Sequence, residues 1–103
     1  MPEDLDAERF EEVKESGETW MVDFWAEWCG PCKQTEPIVE EISEEMDDIK
    51  VGKVDVDEYQ ELATAQGVRS IPTFVILEDG EEVSRQMGAM GKEKFESWIE
   101  ENK

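Results

Sequence analysis

Thr19-Trp20-Met21-Val22-Asp23-Phe24-Trp25-Ala26-Glu27-Trp28-Cys29-Gly30-Pro31-Cys32-Lys33 joins an apolar run to a pair of cysteines that opens a helical pattern. Apolar residues fill Thr19–Ala26 without alternation, which predicts a strand covered on both faces. Asp23 interrupts that run. Downstream, Val39, Ile42 and Met46 recur at helical spacing with Ile38 beside them, predicting a helix from near Cys29 to about Asp47. Pro31 suits its first turn, where a missing amide costs nothing. Pro37 falls inside the helix and should kink it.

The same reading extends outward. Asp6 is a candidate N-cap, and Leu5 and Phe10 then take the two positions of a hydrophobic staple. A short helix follows to about Glu15, with Phe10 and Val13 inward, and Ser16-Gly17 ends it. Ile49 to Asp57 reads as a strand. Glu58 to about Gln66 reads as a helix stopped by Gly67, and Thr73–Leu77 as a second buried strand. Glu78-Asp79-Gly80-Glu81 is a hairpin turn signal, and Glu82–Met87 returns antiparallel. Lys92 to Asn102 closes the chain as an amphipathic helix with Phe95, Trp98 and Ile99 inward. Residues 1–5 read as poorly ordered. A helix-linked strand pair should lie parallel with a right-handed crossover. The expected fold is α/β: a central mixed four-stranded sheet with helices on both faces, in a single domain over residues 1–103.

Charge excludes several functions. Twenty-nine acidic residues against ten basic ones give −19. Phosphates would be repelled, so nucleic acid is not the expected partner, and an anionic membrane surface is excluded likewise. No apolar stretch approaches the roughly 18 to 20 residues that span a bilayer. The acidic start, Met1-Pro2-Glu3-Asp4, lacks the regions of a signal peptide, so the expected location is the cytoplasm. Charge this dense suits a salt-adapted shell, since at molar ionic strength the Debye length falls to about 3 Å. Its rival is an acidic face that steers basic partners.

Cys29 and Cys32 are the only cysteines, and there is no histidine. Three positions apart at a helix start, they can close a small disulfide ring without large backbone movement. In a reducing cytosol such a pair points to redox chemistry rather than a staple. Cys29 faces the unsatisfied amides and positive dipole end of the helix. It should therefore be the nucleophile, with its pKa below the free value of about 8.5. Cys32, one turn in, should be more buried and resolve the mixed disulfide. Gly30 leaves room for a partner chain, and Pro31 stiffens the turn and removes a donor. With no histidine between the cysteines, the pair suits a reductant. A tetrahedral zinc site lacks ligands here, and a purely structural disulfide across so short a loop would restrain the unfolded chain little. No metal and no bound cofactor are expected.

Val22–Lys33 closely resembles the active-site signature of the thioredoxin family. Val68-Arg-Ser-Ile-Pro-Thr-Phe74 resembles its second signature, and Met87-Gly-Ala89 the third loop of its binding face. The resemblance covers about residues 5 to 102. It implies the thioredoxin fold and dithiol reduction of protein disulfides, recharged by a thioredoxin reductase, with disulfide-bearing client proteins as partners of a monomer. It matches Cys29 to the attacking and Cys32 to the resolving cysteine, and Asp23 to a buried aspartate beneath the disulfide. Asp23's place in a doubly covered strand independently predicts a raised pKa, which suits it to take a proton from Cys32. Lys53 matches the lysine that approaches this aspartate. Pro72 matches a cis-proline, implying a cis Ile71–Pro72 bond set against the disulfide. Trp28, Gly30, Pro31, Ile71, Pro72, Gly88 and Ala89 would then form an apolar docking patch for substrate, with Trp28 exposed and Trp25 beneath the site. One departure stands out: only Met1–Leu5 precede the first helix, so the family's first edge strand is expected to be missing or vestigial. Two rivals remain, an oxidase or isomerase on the same fold and a binding module without turnover.

Overall fold

The computed structural model describes residues 1–103. In chain order its elements are β1 (Glu3–Asp4), α1 (Ala7–Glu15), β2 (Thr19–Trp25), α2 (Gly30–Glu45), β3 (Lys50–Asp55), α3 (Gln60–Ala65), β4 (Thr73–Glu78), β5 (Glu81–Met87) and α4 (Lys92–Asn102). The strands form one mixed sheet in the order β1-β3-β2-β4-β5. β2 runs parallel to β3 and antiparallel to β4, and β4 and β5 pair as a hairpin.

The double cover of β2 is visible in its alternation. Trp20, Val22 and Phe24 belong to a core with Phe10 and Val13 of α1 and Ala63 of α3. Met21 belongs to the opposite core, with Val39 and Ile42 of α2 and Phe95, Trp98 and Ile99 of α4. Asp23 shares the parity of Met21, so the strand period sends it to the face that α2 covers.

The expected four strands become five. Glu3 and Asp4 pair in parallel with Gly52 and Lys53, and Leu5 N–H donates to the Lys53 carbonyl at 2.8 Å. A two-residue strand with exposed side chains is a vestige of an edge strand, and it leaves no side-chain period to read. The expectation of a poorly ordered start is thereby corrected: Leu5 is buried beside Phe10. Asp6 caps α1, accepting from Arg9 N–H at 2.7 Å. Gly52 makes room for Leu5, because a Cβ there would lie 2.5 Å from Leu5 Cδ1. Gly52→Ala is therefore expected to cost about 2 kcal/mol by overpacking, read as a lower urea midpoint at unchanged slope.

Two boundaries shift for one reason. Asp55 Oδ1 accepts from the Asp57 and Glu58 amides at 2.9 and 3.3 Å. This turn ends β3 at Asp55, earlier than the expected Asp57, and delays α3 to Gln60. α2 stops at Glu45, where Met46 is extended. It runs through Pro37, which supplies no N–H to the Lys33 carbonyl. Asp79 and Gly80 both have positive φ, as the hairpin turn requires.

Candidate functional site

The site lies where β2 ends and α2 begins. Cys29 is the N-cap of α2, and its Sγ accepts from Cys32 N–H at 3.1 Å. Pro31 has no amide to offer, so in this first turn the sulfur is served by Cys32. The two cysteines are joined as a disulfide with Cα atoms 5.3 Å apart. Both are buried, Cys29 at 3% and Cys32 at 5% exposure. The expected deeper burial of Cys32 is not found. Both cysteines share one buried cluster with Ala26, against which Trp25, Val56 and Ile71 pack, so Cys29 is covered as well.

Asp23 stands on the same face, 3% exposed, and its Oδ1 has no hydrogen-bond partner. Burial pushes its carboxyl up to about 7; Lys53 pulls it back, and Glu36, one turn beyond Cys32, adds to the rise. Lys53 is directly opposite Asp23 in the β2–β3 register. Its ammonium makes no salt bridge with Asp23, however, and lies 4.4 Å from the centre of the Trp25 ring. Lys53 thus acts on Asp23 through space, and Trp25 holds it there by a cation–π contact.

The Ile71–Pro72 bond is cis. The Pro72 carbonyl accepts from Gly88 N–H at 2.8 Å, which fastens the Gly88-Ala89 loop to the proline. Gly88 has φ +90, and a Cβ on either Gly88 or Gly30 would meet nothing within 4 Å. Both glycines therefore border open space. Trp28 is 70% exposed, while Trp25 is half-buried. Gly30, Pro31 and Ala89 are also exposed and Ile71 half-buried; Pro72 itself is buried. The patch is apolar but presents little of its proline ring.

Four features of this face were not read from the sequence. Asp57 Oδ2 accepts from Trp28 Nε1 at 2.6 Å and fixes the exposed indole. Val56, Val68, Arg69 and Ser70 join Trp28 and Ile71 around a groove of about 330 Å³. Met87 is 67% exposed beside Gly88. Arg85 of β5 donates to the Gln66 and Gly67 carbonyls at 2.6 and 3.1 Å, anchoring the segment that leads into the groove. The partners of Trp28 and Arg85 are 29 and 18 to 19 residues away in sequence, so no local pattern marks them. Met87, by contrast, stands in the segment matched by resemblance to the third loop of the binding face, and only its exposure is new.

A thioredoxin family model matches residues 2–101. The chain belongs to the thioredoxin family. It is 46% identical over 89 residues to a thioredoxin of Rickettsia prowazekii, covering 85% of each chain. It is 49% identical over 80 residues to that of Bacillus subtilis, covering 77% of each. A solved mutant thioredoxin from Halobacterium salinarum superposes with a TM-score of 0.91 at 38% identity, over 98% of this chain and 89% of that one. The expected thioredoxin fold is observed, with a fifth, vestigial strand. Family and cysteine pair together make this chain a thiol–disulfide oxidoreductase that works by dithiol exchange, a carrier of the thioredoxin type that reduces protein disulfides.

Proposed function

We propose that the reduced chain attacks client disulfides with Cys29 and releases the product through Cys32. The Cys29 thiolate attacks one client sulfur, forming a mixed disulfide and breaking the client's bond; the departing client sulfur takes up a proton. Cys32 then attacks Cys29 Sγ. This breaks the mixed disulfide, closes Cys29–Cys32 and releases the second client thiol. Two electrons pass from the dithiol to the client. Asp23, neutral to half-ionised near pH 7, receives the Cys32 proton directly or through a water, and Lys53 tunes its charge. The observation that carries the reading is the Cys29 sulfur at the N-cap of α2, accepting an amide at 3.1 Å with a buried, unpartnered carboxyl on the same face. Both the dipole and the amide favour thiolate there.

The test is brief alkylation of the reduced protein across pH, followed by peptide mapping. Cys29 should be modified first, with a midpoint below about 8.5. Preferential modification of Cys32 would reverse the assignment.

Trp28, Gly30, Pro31, Ile71, Pro72, Gly88 and Ala89 form the docking patch in this reading, the Pro72 loop offering backbone to an extended client segment. A thioredoxin reductase recharges the dithiol, and the chain acts as a monomeric single domain in the cytoplasm, where reducing power is available. No helix is long and apolar enough to cross a membrane. An oxidase or isomerase role fits less well, because Gly30-Pro31 gives the thiolate no histidine or other cation between the cysteines.

The shell of carboxylates is read as adaptation to salt. Screening about 2 kcal/mol of self-repulsion should raise the melting temperature by about 10 °C between low and molar potassium chloride. A flat melting temperature would contradict it.

A further inference from the structure

With 29 carboxylates for ten cations, a lysine or arginine without an acidic partner is the exception in this chain. Arg9, Lys14, Lys50, Arg85, Lys92 and Lys103 each hold at least one carboxylate. Lys33, Lys53, Arg69 and Lys94 hold none. Three of these four surround the redox centre. Lys53 stands opposite Asp23, Lys33 follows Cys32 directly, and Arg69 lines the groove whose Ile71 and Val56 pack on the cluster of the two cysteines. Lys94 alone is remote, on α4.

Arg69 is the one charged residue among those lining the groove; the others are Trp28, Val56, Val68, Ser70 and Ile71. It is exposed, and neither a carboxylate nor a backbone carbonyl engages its guanidinium. The Asp57 carboxylate, which anchors Trp28 on this groove, is occupied by the indole Nε1 at 2.6 Å. Ile71, at the inner end of the groove, packs against the buried cluster of Ala26, Cys29 and Cys32. A side chain neighbouring the reactive cysteine of a docked client would therefore enter beside Arg69. The groove combines apolar walls with one unpaired guanidinium at a water-accessible rim, a setting that suits a carboxylate on a short aliphatic stem.

We propose that this groove selects client segments carrying a glutamate or aspartate next to the reactive cysteine, and that Arg69 is the residue that recognises it. The proposal rests on the docking reading above. It also separates two ranges of electrostatics. The net charge of the shell repels any acidic partner at a distance, but that field is screened beyond about 3 Å in molar salt. A contact pair in the groove persists there in weakened form. The rival is a client with a basic residue at this place, attracted by the shell as a whole.

The experiment uses peptides closed by one disulfide, identical except for Glu or Lys beside one cysteine, on each side in turn. Their kcat/KM for reduction by the dithiol protein is measured in molar potassium chloride, with insulin reduction as a separate readout. The wild type should favour the Glu peptide by about fourfold, the range of an exposed ion pair. Arg69→Lys should keep the preference, Arg69→Ala should abolish it, and Arg69→Glu should invert it. Equal rates for both peptides, a preference for Lys, or a preference for Glu that survives Arg69→Ala would each overturn the proposal while insulin is still reduced. If neither insulin nor any peptide were reduced by the wild type, the docking reading itself would fall.

Discussion

A Cys32→Ser variant is expected to accumulate as a covalent mixed disulfide with its clients through Cys29. Without the resolving thiol, release depends on an external thiol, and the advantage of an attacking group held one helical turn away is lost. Turnover should fall by about a thousandfold or more at millimolar external thiol, since well-placed intramolecular groups act at effective molarities far above that. Cys29→Ser should lose turnover as well but form no adduct. The serine caps α2 as well as cysteine does, so both variants should fold. Intact mass measured without reductant distinguishes them. An adduct on the Cys29→Ser protein and none on the Cys32→Ser protein would exchange the two roles.

Asp23→Asn should stabilise the protein strongly, by an amount that grows from about pH 4 and is nearly complete at pH 7. The Asp23 carboxyl stands at about 7 in the fold against about 3.9 in an unfolded chain. The folded state therefore binds the proton more tightly. Stability is full below pH 4, declines between about 4 and 7, and stays low above, where a buried carboxylate must be tolerated. The shift corresponds to about 4 kcal/mol at pH 9. Asparagine keeps the shape and has no proton to lose. The variant should match the wild type at pH 4 and exceed it by about that amount at pH 9 in urea unfolding. It should also reduce clients more slowly, and its pH profile should lose the ionisation near 7. A variant no more stable than the wild type at pH 9 would mean that Asp23 ionises at no cost and has no poised proton site to offer.

The parts of this molecule that could be read from sequence are those in which a side-chain period meets an unambiguous cap. β2 and α2 are of this kind: an uninterrupted apolar run passes into a proline-bearing first turn, and the cysteines mark the junction. The Leu5–Phe10 staple was legible for the same reason, and both residues are buried. β1 was not legible, because two residues carry no side-chain period, and what anchors them is backbone pairing with Gly52 and Lys53 and the Glu3–Arg9 ion pair. Asp23 was legible as the polar break in a doubly covered strand, and its raised pKa follows from that cover. Lys53 was placed by resemblance alone; its rest against Trp25 depends on strand register, which no local pattern encodes. The groove around Arg69 and the Trp28–Asp57 contact gather residues from separate turns, and only the folded sheet brings them together. The burial of Cys29 belongs here too, since Ile71 packs on its cluster from a loop 42 positions further along the chain.

That Cys29 and Cys32 form a reducing couple is tested by their reduction potential. The protein would be equilibrated in graded dithiol buffers at high salt and followed by tryptophan fluorescence, since Trp25 and Trp28 flank the site. The reference points are about −270 mV for thioredoxin itself and about −180 to −120 mV for oxidising relatives, values taken over from those proteins rather than derived from this site. A single two-electron transition near the first value is the predicted result. A midpoint in the second range would make the chain an oxidant or isomerase, and the absence of any reversible transition would contradict dithiol exchange altogether.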